Sequence, residues 1–154
     1  MKRKILIVED NVGLSQIQKD WLSQAGYEAV TAMNEPIARS LIRKTQFDLI
    51  LSDVRLPEGD GISLLEWLRK EKKDIPFIIT TEYVSVPDVV RTIKLGARDY
   101  LPKPVHRDYL LELAEDIFHP VATVRKQERQ LFHRTSPMIL KAVSYTHLTL
   151  PTKA

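Results

Sequence analysis

Short apolar runs alternate with longer amphipathic stretches over the first 105 residues of the chain. The run Ile5 to Val8 is unbroken, as expected for a strand that is covered by helices on both faces. Further strands are predicted at 28–32, 47–51, 75–80 and 100–101. Strands that alternate with helices in this way are typical of βα units around a parallel sheet. The pattern therefore predicts an α/β protein with a doubly wound, five-stranded parallel sheet.

The stretches between the strands repeat their apolar residues with the 3.6-residue period of a helix. Asn34 is predicted to cap the second helix, with Pro36 in its first turn, and Gly26 and Gly96 lie where helix C-caps are expected. A fifth helix is predicted to begin near Arg107. The residues that show this period are Leu14, Ile17, Trp21, Leu22 and Ala25 in the first helix and Val86, Val89, Val90 and Ile93 in the fourth.

Composition limits the class of protein. A length of 154 residues suits one domain with a short appendage, and the absence of cysteine excludes disulfides and thiolate metal sites. Met1 to Lys4 leads directly into a strand and no apolar run is long enough to cross a membrane, which predicts a cytoplasmic protein without a membrane partner. The net charge of +3 comes from basic residues spread along helices, with one concentration at 125–134. This distribution favours solvated helix faces over a nucleic-acid surface.

Polar and charged side chains follow four of the predicted strands, where the functional groups of an open parallel sheet gather. They are Glu9 and Asp10 after the first strand, Asp53 after the third, Thr81 after the fourth, and Lys103 with Pro104 after the fifth. Three carboxylates at one edge repel one another unless a cation lies between them. An all-oxygen site without histidine or cysteine suits Mg²⁺ or Mn²⁺.

This set of residues suits phosphoryl transfer. With a divalent metal bound, the carboxylate of Asp53 could attack a phosphoryl donor and form an acyl phosphate. Lys103 offers a positive charge and Thr81 a hydroxyl donor, and both fit phosphoryl oxygens. His106, His119 and His133 show no ligand spacing, so no metal role is assigned to them.

Four segments together resemble the bacterial two-component receiver domain, and the resemblance covers residues 2–119. The segments are Ile5-Leu-Ile-Val-Glu-Asp10, Leu49-Ile-Leu-Ser-Asp-Val-Arg-Leu-Pro57 with Asp60-Gly61, Ile78-Ile-Thr-Thr81, and Gly96-Ala-Arg-Asp-Tyr-Leu-Pro-Lys-Pro104. Their order and their positions at the strand ends make the match specific. The resemblance implies the flavodoxin-like receiver fold.

The resemblance also implies a mechanism. A phosphohistidine on a sensor histidine kinase would be the donor, Asp53 the phosphoacceptor, and Asp10 a direct metal ligand, with Glu9 assisting through water. Arg55 would offer its backbone carbonyl oxygen to the metal. Such a domain is a phosphoacceptor that assists its own phosphorylation and dephosphorylation rather than an enzyme. The face formed by the fourth and fifth helices is the candidate surface for a homodimer, and the sequence leaves open whether the domain dimerises.

Two further features follow from the same resemblance. Thr81 and Tyr100 resemble the family's switch pair, in which the hydroxyl moves toward the phosphoryl group while the ring turns inward. The Lys103-Pro104 peptide bond is expected to be cis, a conformation accessible at low cost only before proline.

The sequence departs from the family at Glu82, where a small residue is typical. We hypothesise that this carboxylate slows phosphorylation and hydrolysis, and the alternative is that it swings into solvent.

Other interpretations remain for these residues. Taken singly, Asp10 and Thr81 could be helix caps and Tyr100 a half-buried strand aromatic. A non-phosphorylated pseudo-receiver, acting as a protein-binding module, is the alternative function. An aspartyl phosphohydrolase would need a second acid where this chain has Arg55, and a flavodoxin-like cofactor binder would need a phosphate loop that is absent after the first strand.

The chain is divided into four segments. Residues 1–119 are predicted to form the receiver domain, and 120–134, which begin with the helix-interrupting Pro120, are predicted to form a helical linker. Residues 135–142 resemble the start of an AAA+ module of enhancer-binding activators that act with the nitrogen-type alternative sigma factor. Residues 143–154 resemble a translated transposase-type sequencing adapter, or else a disordered tail, so a truncated activator is expected. DNA would then be bound only by domains that this chain lacks.

Overall fold

Five parallel strands form one sheet in this computed structural model, which describes residues 2–119. The sheet has the strand order β2-β1-β3-β4-β5. The strand β2 therefore lies on one side of β1, and β3, β4 and β5 follow on the other side. The predicted doubly wound α/β class is confirmed. The strands are β1 (Lys4–Val8), β2 (Glu28–Ala32), β3 (Leu49–Asp53), β4 (Phe77–Thr81) and β5 (Asp99–Pro102).

Each strand is followed by a helix. One face of the sheet packs against the second and third helices through a continuous apolar cluster, in which Leu6, Ile50 and Ile79 of the strands lie with Ala38 and Leu65 of the helices. Within residues 2–119, no helix is long and apolar enough to cross a membrane. The helices are α1 (Val12–Gln24), α2 (Glu35–Lys44), α3 (Gly61–Lys70), α4 (Val86–Lys94) and α5 (Arg107–Phe118).

The central strands lie further along the chain than the sequence pattern predicted. Phe47 and Ile75 were expected to begin β3 and β4, but these strands begin at Leu49 and Phe77. Phe47 is buried and Ile75 is half-buried, although neither residue belongs to a hydrogen-bonded strand of the sheet. The shift makes Asp53 and Thr81 the last residues of their strands rather than the residues after them.

The predicted helix ends agree closely with the structure. Asn34 is the N-cap of α2, and its side chain accepts a hydrogen bond from the backbone N–H of Ile37 at 2.9 Å. Gly26 and Gly96 each lie one residue beyond the C-cap, with φ of 98° and 86°. Glycine adopts this left-handed conformation without the steric cost that a side chain would add.

The apolar residues that repeat along α1 and α4 are only partly buried. In α1, Ile17 is exposed, whereas Ser15 and Gln18 are buried beside Leu22. In α4, Thr92 is the buried residue. The apolar residues Val86, Val90 and Ile93 of α4 are exposed, while Val89 is half-buried against the core cluster. The expected segments 120–134, 135–142 and 143–154 lie outside the described residues.

Candidate functional site

The register of the sheet brings the predicted site residues to one edge. Val8 pairs with Ser52, Asp53 with Thr80, and Thr81 with Pro102, so the carboxyl ends of β1, β3, β4 and β5 are level. The ladder continues past the strands, because the N–H of Glu9 donates to Ala32 at 2.9 Å and the N–H of Lys103 donates to Thr81 at 2.7 Å. Backbone hydrogen bonds therefore fix the residues that carry the functional side chains.

Lys103 lies between two of the carboxylates. Its Nζ donates to Glu9 Oε1 and to Asp53 Oδ2, both at 2.8 Å. All three side chains are less than 10% exposed, so the ion pairs are largely shielded from solvent. The Lys103-Pro104 peptide bond is cis, as the resemblance implied.

Asp10 completes a three-carboxylate cluster. One carboxylate oxygen each of Glu9, Asp10 and Asp53 lies within 4.8 Å of the others. Asp10 is exposed, whereas Glu9 and Asp53 are buried. Three converging oxygen ligands with one open side fit a hard divalent cation.

Burial and charge pairing shift the pKa values of two site residues. Burial raises the pKa of Glu9, and the hydrogen bonds that its carboxylate accepts from Lys103 and from the N–H of Asn11 offset this only in part. Burial would lower the pKa of Lys103, but its hydrogen bonds to Asp53 and Glu9 outweigh that effect, so the pKa is raised. Lys103 therefore remains a cation, while burial disfavours the ionised form of Glu9.

The two residues that resemble a switch pair lie on neighbouring strands. The hydroxyl of Thr81 donates to the carbonyl of Tyr83 at 3.0 Å and accepts from the Tyr83 N–H at 3.1 Å. The Tyr100 ring is buried at 3% exposure, and its hydroxyl makes no hydrogen bond to the described residues. Burial raises the pKa of Tyr100. The Ser85 backbone and the Thr81 side chain lie near the Tyr100 hydroxyl and offset this increase in part, although neither makes a hydrogen bond to it.

The loop after Asp53, residues 54–60, turns back toward the site. The N–H of Arg55 donates to Asp53 Oδ1 at 3.3 Å, and Arg55 pairs with Asp60 in an isolated antiparallel bridge. A side chain at Gly61 would place its Cβ 2.3 Å from the Asp53 carbonyl oxygen, so only glycine allows α3 to begin this close to the site.

Sequence reasoning missed two contacts around the site. The Arg55 guanidinium lies 4.7 Å from the centroid of the Tyr83 ring, which joins the loop after β3 to the loop after β4. Glu35 is buried and hydrogen-bonded to the N–H of Asp60. An acid just after the Asn34 cap is common at a helix start, so its sequence position gave no sign of burial. Glu82 is exposed.

Comparison with known proteins gives a consistent result. Residues 5–115 match the family described as the response regulator receiver domain. The transcriptional regulatory protein GlrR of Escherichia coli is 30% identical over 145 residues, and the response regulator protein PilR of Pseudomonas aeruginosa is 31% identical over 140. These alignments cover 94% and 89% of this chain but 33% and 32% of the relatives. The chain thus spans about a third of the length of these curated relatives.

Solved structures show the same fold. A CheY-like receiver domain protein from Methanospirillum hungatei superposes with a TM-score of 0.73 at 29% identity, covering 84% of this chain and 99% of the other. The non-phosphorylated HemR receiver domain from Leptospira biflexa gives 0.72 at 35% identity, covering 79% and 98%. Because the family match covers residues 5–115 and includes Glu9, Asp10 and Asp53, the chain belongs to the response regulator receiver domain family.

Proposed function

We propose that this receiver domain accepts a phosphoryl group on Asp53 from a sensor histidine kinase and passes the signal to an output module. The observation that carries the proposal is the position of Asp53. Its carboxylate lies at the end of the central strand, bonded to Lys103 and within 4.8 Å of two further acids. A buried acid held beside one cation at the carboxyl edge of a parallel sheet is arranged for chemistry rather than for packing.

The protein groups used in the transfer are the carboxylate of Asp53 and the ammonium of Lys103. A carboxylate oxygen of Asp53 would attack the phosphorus as the donor's phosphorus–nitrogen bond breaks, and the donor imidazole would leave as the neutral ring after taking up a proton. Lys103, already 2.8 Å from Asp53, would pair with a phosphoryl oxygen and balance its charge. The same groups would assist the later hydrolysis of the acyl phosphate.

The acidic cluster would hold Mg²⁺, or Mn²⁺, through Asp10 and Asp53, with Glu9 assisting and the backbone carbonyl of Arg55 as a further ligand. When bound, the metal would supply charge neutralisation for the phosphoryl oxygens. Lys103 would then no longer be the only positive charge beside the three acids. Because the pKa of Glu9 is raised by burial, a cation at this position would favour its ionised form.

The switch would involve the β4–α4 connection. The hydroxyl of Thr81 bonds to the backbone of Tyr83, and on phosphorylation it would leave this partner and donate to the phosphoryl group. Tyr100 already lies inward with a buried hydroxyl, which is the ring position that the switch would require. The exposed apolar residues Val90 and Ile93 of α4 would contribute to a homodimer through α4 and α5.

The output is proposed from the relatives. GlrR and PilR carry the names of a transcriptional regulatory protein and a response regulator protein, and this chain corresponds to about a third of each. We therefore propose that the receiver controls a transcription activator in the cytoplasm, with residues 120–134 as linker and 135–142 as the start of its ATPase module. DNA binding would belong to the remainder of such a protein.

Intact-protein mass after incubation with acetyl phosphate and Mg²⁺ tests the proposal. We expect a gain of one phosphoryl group that is lost in hydroxylamine, requires the metal and is absent from Asp53→Asn. Asp48→Asn, which changes the acid at the other end of β3, is the matched control and should still be labelled. A folded wild type that binds the metal but gains no mass would instead indicate a pseudo-receiver that acts by binding alone.

Glu82 provides a test of how the site is tuned. Its exposed carboxylate belongs to the residue directly after Thr81, whose hydroxyl is proposed to donate to the phosphoryl group. We expect Glu82→Ala to speed both labelling by acetyl phosphate and loss of the label, because a negative charge near the incoming phosphate is removed. If Glu82→Gln and Glu82→Ala both keep the wild-type rates, the side chain swings into solvent and the hypothesis fails.

A further inference from the structure

Glu35, the first residue of α2, has a buried carboxylate that the proposed phosphorylation does not use. The residue is 5% exposed. Its Oε2 accepts hydrogen bonds from the Arg39 guanidinium, including one from Nε at 2.9 Å. Its Oε1 accepts from the backbone N–H of Asp60 at 3.0 Å. One carboxylate therefore joins α2 to the loop of residues 54–60.

The loop is shaped around this carboxylate. A Cβ on Gly59 would lie 2.0 Å from Glu35 Oε1 and 2.8 Å from its Cβ, so a side chain at position 59 and the present position of Glu35 exclude each other. Gly59 also has φ of 85°, a conformation that side chains disfavour. In addition, the N–H of Glu35 donates to the carbonyl of Glu58 at 3.2 Å. Three consecutive loop residues, 58–60, are thus held by Glu35.

Asp60 connects this contact to the site. It pairs with Arg55 across the loop in the antiparallel bridge, and its side chain caps α3 by accepting from the N–H of Ser63 at 2.6 Å. The next residue, Gly61, donates its N–H to Val54 at 2.9 Å and lies against the backbone of Asp53. A shift of Asp60 would therefore move the backbone of residues 53–55.

We propose that Glu35 is a positioning residue that fixes the 54–60 loop and thereby sets the affinity of the acidic cluster for a divalent cation. The inference rests on the proposed function, because it takes Asp53 and the carbonyl of Arg55 as metal ligands. Groups that hold ligand-bearing segments in place typically change metal affinity by about 10- to 100-fold when removed. Arg39 pairs with the second carboxylate oxygen and so keeps the Glu35 side chain oriented toward the loop.

The test is Mn²⁺ binding by the full chain, measured from the loss of the free-ion signal in electron paramagnetic resonance. Glu35→Ala removes both oxygens, and we expect its affinity to fall about 10-fold. Glu35→Gln keeps an oxygen that can accept from Asp60, so it should retain most of the wild-type affinity. Asp48→Ala is the matched control, because it removes a carboxylate acceptor of a backbone N–H at the opposite edge of the sheet.

A second variant approaches the same contact from the loop. Gly59→Ala introduces a Cβ where the Glu35 carboxylate now lies, and position 59 is exposed, so the domain should fold even where Glu35→Ala does not. We expect Gly59→Ala to weaken Mn²⁺ binding as Glu35→Ala does. Weakened binding in both variants, with Glu35→Gln and Asp48→Ala close to wild type, would support the positioning role.

Other results would overturn it. Wild-type affinity in Gly59→Ala and in any folded Glu35→Ala would show that the contact serves the fold alone, with the phosphorylation proposal unaffected. Equal weakening in Asp48→Ala would indicate a general loss of stability rather than a role of Glu35. Absence of Mn²⁺ binding by the wild type would contradict the proposed metal site itself, and the positioning role would fail with it.

Discussion

The two aspartates at the ends of β3 show how differently one residue type is used in the same strand. Asp48, just before the strand, accepts from the N–H of Lys4 at 2.8 Å and returns a hydrogen bond from its own N–H to the Lys4 carbonyl at 2.7 Å. Asp53, at the other end, shares the single ammonium of Lys103 with Glu9. The first acid ties two strands together, whereas the second belongs to a group with more negative than positive charge.

The difference has an energetic consequence. A carboxylate that bonds to backbone amides is satisfied by the fold itself, and its contribution should depend little on what the solution contains. A group of two buried acids, one exposed acid and one ammonium is unbalanced in charge, so its stability should depend on pH and on cations. Experiments at the two ends of β3 should therefore respond to different variables.

The largest effect is expected for Lys103→Met in a buffer with chelator. Removing the ammonium leaves the buried carboxylates of Glu9 and Asp53 without their shared partner, and breaking such a pair costs about 3 kcal/mol. Urea unfolding near neutral pH measures the loss. Unchanged stability would show that the acids escape into solvent, and the contrast between the two ends would disappear.

The next effect is stabilisation of the wild type by Mg²⁺. A ligand that binds only the folded state at ten times its dissociation constant raises the free energy of unfolding by about 1.4 kcal/mol. Asp48→Ala should gain as much from Mg²⁺ as the wild type, whereas Asp53→Asn should gain less because it lacks one ligand of the cluster. Thermal unfolding with and without Mg²⁺ measures the gain, and equal gains in all three proteins would place the cation elsewhere.

A smaller effect is expected for Asp48→Ala in the absence of metal. The variant loses the hydrogen bond to the Lys4 N–H, which is worth about 1 kcal/mol. Because Asp48 lies at the other end of β3 from the cluster of Glu9, Asp10 and Asp53, we expect the same loss of stability with chelator and with Mg²⁺. A loss that changes with Mg²⁺ would show that the two ends of β3 are coupled.

The smallest effect concerns the pH dependence that comes from Glu9. Because burial raises its pKa in the folded state above the ordinary 4.5, the folded protein holds this proton more tightly than the unfolded chain. Its contribution to stability is therefore greatest below about pH 4.5 and declines as pH rises through the raised pKa. The difference in melting temperature between wild type and Glu9→Gln, measured without metal from pH 4.5 to neutrality, should follow this sign. The opposite slope would mean that pairing with Lys103 outweighs burial.

Much of the fold could be predicted from the local sequence. The unbroken apolar run of β1, the Asn34 cap and the position of Gly26 each depend on a few neighbouring residues, and the structure contains all three. The edge where Glu9 and Asp53 lie also followed from the sequence, because parallel strands direct their carboxyl ends to one side.

Helix faces were less predictable, as α3 and α4 demonstrate. Leu64 and Leu65 of α3 are fully buried, but Val90 and Ile93 of α4 are exposed although they repeat with the helical period. Apolar periodicity shows that a helix has an apolar face. It does not show whether the domain itself or a partner covers that face.

The sequence by itself determined the order of the βα units, the helix ends and which residues reach the functional edge, because these depend on local propensity and on the direction of parallel strands. Only the tertiary structure decided that Lys103 bridges Glu9 and Asp53, that the Tyr100 ring lies inward and that Glu35 holds the loop before α3. Lys103 and Glu9 are 94 residues apart, and Glu35 and Asp60 are 25 apart. Contacts between such distant residues depend on how helices pack on the sheet, which no local pattern records.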